Sequence, residues 1–564
     1  MKVDFTPERL NPNQLIWNSN RRKKETVVET TGSLSPEKIK DVPIKQLWGT
    51  RKRPDFVQLT TLISHIDTAH ELTTIRAPFT GELIGTVPIC TTEDVQMALQ
   101  RARDAQRSWS KTRISERKAI FLRYHDLVLD RQEELLDLLQ VEAGKSRLTA
   151  QDEVFDVVIN TRHYAVRADK YLRPHRRKGA LPLLTHTMEL HQPVGVVGII
   201  SPWNYPLALT ISDAVPAILA GNCVVLKPAE ETPFIALFAV QLLYEAGLPH
   251  DVFQVVTGKG RVVGPVFIKE ADYLCFTGGT STGRLLAGQA GERLIKCSME
   301  LGGKNPAIVL DDADLDKAVT GIRGGSFANA GQLCVHMERL YVQSGIYDRF
   351  VPEFVRRVKE MKVSPAMDFS ADMGSLISQD QLDKVTLHVE DALQKGAILL
   401  TGGKARPDIG PFFFEPTLLT GVTPDMYLYA EETFGPVVSI YKFDDVEQAI
   451  QMANASSYGL NSSVWTRDVR RGEQIARQLK TGTSNVNEAL NAAWGSVDSP
   501  MGGMKASGLG RRHGMEGIMK YTEPQTVATQ SLMLIGPNRF MPPVLYAKTM
   551  TVILKLMKAI PGLR

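Results

Sequence analysis

Hydrophobic positions early in the chain recur at helical spacing. Between Thr91 and about Leu172, apolar side chains return every three or four residues, and Glu, Lys and Arg fill the other positions. This pattern is typical of helices that bury one face. Thr91 or Thr92, and then Ser115, precede the first two apolar series and are suitable N-caps. We therefore predict half-buried helices, whose defining apolar positions are Val95, Ala98, Leu99, Ile120, Leu127, Leu129, Leu135, Leu136, Leu138 and Leu139.

After Pro193 the pattern changes to short apolar runs rich in β-branched residues. Such runs suit strands that are buried on both faces of a parallel sheet. They alternate with helical stretches and short connections, which is typical of a doubly wound α/β domain. The predicted strands are 194–200, 222–226, 253–256, 273–276 and 296–299, with helices at about 233–245 and 281–290.

A second α/β pattern follows, and two segments stand outside both. Strands are predicted at 307–310, 339–342 and 437–441, separated by helices at about 315–328, 346–360 and 445–454. We therefore predict two α/β lobes in one chain with a cleft between them. Residues 185–191 and 525–529 alternate like strands; extended arms of this kind pair across a subunit boundary or form ordinary surface hairpins, and spacing leaves both open.

Composition excludes several classes of protein. The 564 residues carry a net charge of only +4, which gives no case for nucleic acid as the main partner. The five cysteines form no C-x-x-C pair and the 11 histidines show no metal-ligand spacing, so neither a disulfide framework nor a metal site is expected. Without an apolar leader or a run long enough to span a membrane, the chain is predicted to be soluble and cytoplasmic.

The two ends of the chain have their own character. Residues 1–70 are predicted to be an irregular N-terminal extension, and residues 531–564 a C-terminal tail. From Val544 onward the tail has the pattern of an amphipathic helix, with Lys548, Lys555 and Lys558 on one side. A basic amphipathic helix either binds a membrane surface or, more commonly, packs on its own protein, and both alternatives remain open.

Glycines and polar residues follow three of the predicted strands. In open α/β sheets, ligands bind at the carboxyl ends of the strands, and glycines there let the backbone approach a pyrophosphate. A plain tight turn explains the same glycines, because their spacing is not G-x-G-x-x-G. The candidate cofactor residues at these ends are Ser201, Pro202, Trp203, Lys227, Glu230, Gly278, Gly279 and Thr282.

Glu230 bears on the choice of cofactor. An acid near the end of the second strand accepts hydrogen bonds from an adenosine ribose and repels a 2′-phosphate, which favours NAD over NADP. The competing interpretations are a surface Glu at a helix start and, for Lys227, a solvated lysine.

Cys334 and Glu300 are the candidates for covalent chemistry. Cys334 follows a small, polar, glycine-containing run that would keep its sulfur accessible, although a lone cysteine is more often a buried hydrophobe. Glu300 lies between apolar neighbours just past the fifth strand, where burial would make it a better general base. A salt-bridged structural Glu is the alternative. There is no P-loop, H-E-x-x-H or G-x-S-x-G motif to suggest other chemistry.

Seven segments, in order over about residues 75–530, resemble the aldehyde dehydrogenase family. They are Pro202-Trp203-Asn204, Lys227-Pro228-Ala229-Glu230, Phe276-Thr277-Gly278, Glu300-Leu301-Gly302-Gly303-Lys304, Gly331-Gln332-x-Cys334, Glu432-x-Phe434-Gly435-Pro436 and Pro500-Met501-Gly502-Gly503-Met504-Lys505-Ala506-Ser507-Gly508.

The resemblance implies a role for each matching residue. It implies that Cys334 is a nucleophile that forms a thioester, and that Asn204 and the Cys334 backbone N–H form an oxyanion hole. Glu300 would activate the hydrolytic water. Lys227 and Glu230 would hold the adenosine ribose of NAD, with NADP as the alternative, and Glu432 the nicotinamide ribose, with Phe434 packing nearby.

The resemblance also implies a division into domains and an assembly. An NAD(P)-binding domain of Rossmann type would comprise residues 71–174 and 194–300, and a catalytic domain residues 301–518. Residues 175–193 and 519–530 would form a small β oligomerisation arm of a homodimer or homotetramer.

Within the family, the chain is most similar to actinobacterial succinate-semialdehyde dehydrogenases. The likeness lies in residues 373–378, 402–411 and 510–514. Two departures favour a broad-range aliphatic aldehyde dehydrogenase instead. Ala328 stands where better-studied members carry a carboxylate-binding arginine, and Asp213 where many members carry a lysine. We consider Arg162, Arg167 and Lys170 as substitute positive charges.

Two further alternatives are weaker. An enzyme that transfers the acyl group to coenzyme A needs no base such as Glu300. A non-catalytic binding protein of the same fold would be expected to lack Cys334, Glu300 or Asn204, and all three are present.

Overall fold

Two largely parallel β-sheets organise the computed structural model of the chain. It describes residues 48, 51, 53–65, 70–179, 185–490, 492, 495–530 and 535–559. The strands, in chain order, are β1 Leu72–Arg76, β2 Leu83–Pro88, β3 His175–Lys178, β4 Thr185–Pro193, β5 Val196–Ile200, β6 Cys223–Lys227, β7 Phe253–Val255, β8 Tyr273–Thr277, β9 Lys296–Glu300, β10 Asn305–Val309, β11 Met337–Gln343, β12 Ile398–Thr401, β13 Thr417–Thr420, β14 Val437–Phe443, β15 Tyr458–Gly459, β16 Ser463–Trp465, β17 Asn485–Val486, β18 Met504–Lys505, β19 Gly508–Leu509 and β20 Thr522–Gln530.

Helices cover both sheets. They are α1 Phe56–Thr60, α2 Thr92–Trp109, α3 Ile114–Asp130, α4 Gln132–Ala143, α5 Arg147–Leu172, α6 Ala208–Leu219, α7 Pro233–Glu245, α8 Gly260–Glu270, α9 Thr280–Glu292, α10 Leu315–Phe327, α11 Ser344–Lys359, α12 Gln379–Gln394, α13 Tyr427–Ala430, α14 Val446–Asn454, α15 Val469–Ala476, α16 Gly514–Met519 and α17 Pro543–Ala559.

The first sheet has the order β19-β9-β8-β5-β6-β7. β5 to β9 are mutually parallel and correspond to the five predicted strands, whereas β19 pairs antiparallel with β9 at the edge. Thr277 on β8 and Gly508 on β19 both lie opposite Glu300. The register therefore places the candidate base between two strand ends.

The second sheet has the order β12-β13-β14-β11-β10-β16-β17. It is parallel except for β12, which pairs antiparallel with β13. Three of its strands lie where the pattern predicts them. The predicted α/β class with two lobes is confirmed by these two sheets.

A small antiparallel sheet joins distant parts of the chain. Its order is β20-β4-β3, with Thr522 opposite Pro193 and Gln530 opposite Thr185. These strands lie in the two segments predicted as an arm. Most of β20 is exposed on the described chain.

The early helices follow the predicted pattern with one correction. Thr91 caps α2 through a capping box, in which its side chain and that of Asp94 bond reciprocal backbone N–H groups. Ser115 does not cap α3, because the helix begins one residue earlier, at Ile114, with Arg113 as N-cap.

Part of the segment predicted to be an irregular extension is ordered against the first sheet. Phe56 on α1 packs on Phe234 with ring centroids 4.6 Å apart, and the Ser64 backbone N–H donates to the Val255 carbonyl at 2.7 Å. The prediction of irregular structure up to residue 70 is wrong here, since apolar side chains such as Leu59 are buried. Residues 1–47 lie outside the described part of the chain.

The C-terminal tail contains the predicted helix, α17. No residue of 543–558 is buried, and large apolar side chains such as Val544 and Leu556 are exposed. The alternative in which this helix buries a face on its own chain is therefore not borne out. Among the described residues, no helix is both long and apolar enough to cross a membrane.

Candidate active site

Cys334 lies at the end of a strained loop between α10 and β11. Three consecutive residues before it, Asn329, Ala330 and Gly331, have φ values of 52°, 53° and 70°. Left-handed conformations are unfavourable for residues with a side chain and are kept only where the surroundings enforce them. At Gly331 a Cβ would lie 2.0 Å from the Gly435 carbonyl oxygen, so no larger residue fits.

Side-chain amides hold this loop in place. The Gln332 Nε2 group donates to the carbonyls of Asn329 and Ser375, at 3.0 and 3.2 Å, while its Oε1 accepts from the Ile377 N–H at 3.0 Å. Asn305 Nδ2 donates to the Cys334 carbonyl at 2.7 Å. The orientation of the cysteine is therefore fixed from several sides.

Asn204 is packed against the same loop. Its Nδ2 donates to the main-chain carbonyl of Gln332 at 3.0 Å. The main-chain carbonyl of Asn204 accepts from Asn329 Nδ2, also at 3.0 Å. The side chain is buried and, with Cys334, lines the two cavities described below. A rigid amide donor beside a nucleophile can stabilise charge that develops on a substrate oxygen.

Glu300 is a buried carboxyl at the end of β9. Burial raises its pKa to about 7, against the opposing effect of the Arg512 and Lys520 charges. Its Oε1 has no hydrogen-bond partner among the described residues. The carboxylate of Glu300 forms no ion pair with the described residues within 4.0 Å. The salt-bridged alternative is therefore not supported, and the group titrates where a general base is useful.

The chain's own groups favour the neutral form of the Cys334 thiol. Burial, together with the carboxylates of Glu432 and Glu300, raises its pKa to about 12, against the opposing effect of the Arg512 charge. A thiolate at this position therefore needs a positive charge or a proton acceptor close by.

One cavity of about 200 Å³ brings most of the candidate residues together. Cys334, Asn204 and Glu300 lie on its wall, and Gln381 and Lys384 are lining residues that the sequence did not single out. The candidate cofactor residues that line it are Pro202, Trp203, Gly278, Gly279, Glu432 and Phe434.

Glu432 is held in this cavity by the glycine pair after Glu300. Its Oε1 accepts from the Gly303 N–H at 2.7 Å, and a Cβ on Gly302 would lie 2.4 Å from its Oε2. Burial raises the pKa of Glu432 to about 7. The Phe434 N–H donates to Glu338 at 3.2 Å, which anchors the loop that carries both residues.

Lys227 and Glu230 lie together at the end of β6. Lys227 is buried, which lowers its pKa, and its Nζ is 3.9 Å from Glu230 Oε1. The same oxygen accepts from the Gly260 N–H at 3.2 Å, at the start of α8. Neither residue lines the cavity that holds Cys334, so they form a separate, more exposed part of the candidate cofactor site.

Two candidate side chains do not face the cavity. The Ser201 hydroxyl is buried and shares a hydrogen bond of 3.0 Å with Thr210. Thr282 is exposed in the first turn of α9. Its helix begins after Gly279, which provides no side-chain cap, so first-turn N–H groups are available to an anion.

A second cavity, of about 100 Å³, also has Cys334 on its wall. Among the described residues that line it, Arg512 is the one Lys or Arg. The suggested substitutes Arg162 and Arg167 are exposed on α5, as is Lys170, and none lines this cavity, so that expectation is wrong. The lining residues are Asp152, Asp156, Asn204, Tyr205, Ala208, Leu209, Ser212, Thr277, Glu300, Leu333, Cys334, Val335, Leu490, Met501, Arg512 and His513.

Arg512 is the functional candidate that sequence reasoning missed. It belongs to the segment 510–514, which marked the subfamily but carried no site assignment. The available signal was Asp213, an acid in an apolar helix that needs a cation when buried. Nothing in the spacing shows which of many cations supplies it, because Arg512 is far away in the sequence.

Comparison with known proteins agrees with this geometry. The profile described as the aldehyde dehydrogenase family matches residues 65–527. A protein of Mycolicibacterium smegmatis named as a putative succinate-semialdehyde dehydrogenase (NADP+) is 50% identical over 509 residues, which cover 90% of this chain and 98% of that protein.

Solved structures give the same result. The crystal structure of a succinate-semialdehyde dehydrogenase from Burkholderia pseudomallei is similar with a TM-score of 0.79 and 35% identity, covering 82% of this chain and 95% of that one. An NAD+ complex of an aldehyde dehydrogenase from Bacillus cereus has a TM-score of 0.78 and 35% identity, covering 82% and 93%. The chain belongs to the aldehyde dehydrogenase family.

Proposed function

We propose that this aldehyde dehydrogenase oxidises succinate semialdehyde to succinate with NAD(P)+ through a thioester on Cys334. The observation that carries the proposal is the meeting of Cys334, Asn204 and Glu300 on the wall of one cavity. The names of the mycobacterial and Burkholderia relatives support the choice of substrate.

The residues present fit a nicotinamide dinucleotide. A Cβ on Gly279 would meet no heavy atom within 4 Å, so the backbone at the start of α9 is open to a pyrophosphate. Glu432, held by the Gly303 N–H, can accept hydrogen bonds from the hydroxyls of one ribose. Lys227 and Glu230 supply a hydrogen-bond donor and an acceptor for the second ribose. A bound dinucleotide supplies the hydride acceptor for the reaction.

Acylation begins when the Cys334 sulfur adds to the aldehyde carbonyl. The thiol proton must leave as the S–C bond forms, and it can pass to water or to the carboxylate of Glu300, whose pKa is near 7. The Asn204 Nδ2 group, together with the Cys334 N–H, donates to the oxygen that becomes negative. Loss of hydride from the same carbon leaves the thioester.

Deacylation is the task of Glu300. Its carboxylate takes a proton from water while the water oxygen attacks the thioester carbon, and the sulfur leaves as the C–S bond breaks. The product acid and the free cysteine result. Retention of this base distinguishes the reaction from acyl transfer to coenzyme A.

We further propose that NAD+ is preferred over NADP+. Glu230 stands beside Lys227 where a 2′-phosphate would bring a second negative charge close to its carboxylate. The M. smegmatis relative is named for NADP+, which makes this proposal worth a direct test.

A neutral aliphatic aldehyde is the second candidate substrate. Besides Glu300, two more acids, Asp152 and Asp156, line the second cavity, which we call the aldehyde cavity, and burial raises the pKa of each to about 6. At neutral pH they would repel a substrate carboxylate, and Arg512 is the cation that opposes them.

The test measures formation of reduced nicotinamide with purified protein. The panel pairs NAD+ and NADP+ with succinate semialdehyde and neutral aldehydes of similar length, and Cys334→Ala serves as the blank. The proposal predicts the highest kcat/KM for succinate semialdehyde. Higher values for neutral aldehydes would favour the second candidate, and no activity above the blank would contradict the catalytic proposal.

We also propose that the sheet β20-β4-β3 is the assembly surface of a homodimer or homotetramer. Its exposed strand β20 carries the apolar Val527, which is 41% exposed. Val527→Lys should lower the mass measured by light scattering towards that of one chain. An unchanged mass would contradict this role.

A further inference from the structure

A cluster of buried charges lies directly behind Glu300. The Arg512 guanidinium forms an ion pair with Asp213, and its Nη2 also donates to Thr277 Oγ1 at 3.1 Å. Lys520 Nζ donates to the other oxygen of Asp213 at 3.0 Å. Asp213 therefore binds two cations, from the segment after β19 and from the end of α16.

The contacts of both cations lie on the strand positions next to the candidate base. Thr277, the partner of Arg512, lies opposite Glu300 on the neighbouring strand. Ser298, which accepts from Lys520 Nζ at 3.4 Å, is two residues before Glu300 and so faces the same side of β9. Side chains opposite each other on adjacent strands are about 5 Å apart at Cβ.

Arg512 and Glu300 each keep one buried polar atom without a partner. Arg512 Nε and Glu300 Oε1 make no hydrogen bond to the described residues, and both side chains line the aldehyde cavity together with Cys334. Both residues are 5% exposed. A buried donor and a buried acceptor that share one small space can be satisfied by each other or by one water molecule.

We propose that Arg512 and Lys520, held by Asp213, form a positioning cluster that keeps Glu300 ionised for thioester hydrolysis. The proposal rests on the proposed function, because it assigns a role in the hydrolysis step. The cations do not touch the reacting atoms. They act through Glu300, whose carboxylate is favoured by nearby positive charge and disfavoured by burial.

Other charges near Glu300 bear on its titration. Arg511 also favours the carboxylate, whereas Asp213 disfavours it.

Three further titratable groups line the aldehyde cavity. Asp156 lies beside Arg512, accepts a hydrogen bond from Ser212 and has a pKa raised by burial to about 6. His513 lines the same cavity, but burial lowers its pKa to about 3, so it is neutral during turnover. Asp152, the remaining acid of this cavity, also has a pKa raised by burial.

The sign of the effect differs between members of the cluster. Lys520→Met removes a positive charge and should move the acidic limb of the hydrolysis rate to higher pH, by about one unit. Asp213→Asn removes a negative charge and should move the limb to lower pH. Arg512→Lys keeps the charge and should leave the limb close to that of the wild type. A purely structural role would not produce opposite shifts.

The experiment follows decay of the acyl-enzyme. Full-length protein is mixed with NAD+ and succinate semialdehyde, quenched at intervals, and the adduct on Cys334 is measured by intact-protein mass spectrometry from about pH 5 to about pH 9. Arg512→Gln would deprive Asp213 of a buried partner, and Asp213→Asn would do the same to Arg512. Lys520→Met therefore carries the test, and Asp213→Asn supplies the opposite sign after circular dichroism has confirmed that it is folded.

Lys296→Met is the matched control. Lys296 begins the same strand as Glu300 but is half-exposed and pairs with Glu523 at 2.7 Å. Its loss should leave the limb in place. Opposite shifts in the two test variants, with no shift in the control, support the proposal. Limbs that coincide in all variants overturn it, whereas absence of an adduct in the wild type would instead contradict the proposed function.

Discussion

At the scale of residues, the site combines a proposed nucleophile with a high pKa and a proposed base with a raised pKa. Burial is the largest cause of both shifts, and Cys334 and Glu300 share a cavity wall. Charge on either group is therefore controlled by a small number of named side chains.

The turnover number should fall as the pH falls through about 7. The carboxylate of Glu300 is the active form, and its pKa is raised to about 7, so protonation below that value removes the base. Glu300→Gln should lower kcat by about a hundredfold to ten-thousandfold and abolish this limb. The check is kcat against pH for both proteins; a limb that persists in Glu300→Gln would assign it to another group.

Glu230→Gln should raise the ratio of kcat/KM for NADP+ to that for NAD+ by about tenfold. Relief of one like-charge contact at a partly exposed site is worth about 1 kcal/mol or more, and about 1.4 kcal/mol corresponds to tenfold. Glu231→Gln removes the same charge one residue along and serves as the matched control. Equal effects of the two variants would contradict a specific contact at Glu230.

At the scale of elements, backbone geometry places Glu432 against the end of β9. Gly302→Ala should raise KM for the cofactor. The new Cβ would lie 2.4 Å from Glu432 Oε2 and would displace that carboxylate. Gly288→Ala, inside α9, meets no atom within 4 Å and should stabilise that helix by roughly 0.5–1 kcal/mol without changing KM. An unchanged KM in Gly302→Ala would show that Glu432 does not hold the cofactor.

The long apolar elements could be predicted from the sequence and the short ones could not. Runs such as β5 and β6 are recognisable because every position except Lys227 is apolar and turns bound them. β16 and β17 have three and two residues, so no periodicity distinguishes them from loops. Ser115 was misassigned as a cap because cap identity depends on backbone geometry one residue away, at Arg113.

The candidate site was predictable to a similar degree. Contiguous motifs identify Cys334, Glu300 and Asn204, and the structure brings these three together. Arg512 could not be found in this way, because its pairing with Asp213 depends on how the chain folds back after β19. The direction of the Ser201 side chain, bonded to Thr210, likewise depends on packing that spacing does not encode.

At the scale of the whole molecule, the body of the enzyme does not depend on contacts from α17. No residue of 543–558 is buried on the described chain. Deletion of residues 535–564 should therefore leave kcat/KM unchanged and the midpoint of thermal unfolding within about 2 °C. A larger fall in the midpoint, measured by calorimetry, would mean that a second chain covers the helix and stabilises it.

The proposed mechanism depends most on one step, in which Glu300 helps to hydrolyse a thioester carried by Cys334. The direct measurement is intact-protein mass spectrometry of Glu300→Gln after mixing with NAD+ and succinate semialdehyde. The proposed mechanism predicts that an acyl adduct builds up in this variant, decays rapidly in the wild type and is absent from Glu300→Gln that also carries Cys334→Ala. No adduct in Glu300→Gln, or an adduct that survives the loss of Cys334, would contradict it.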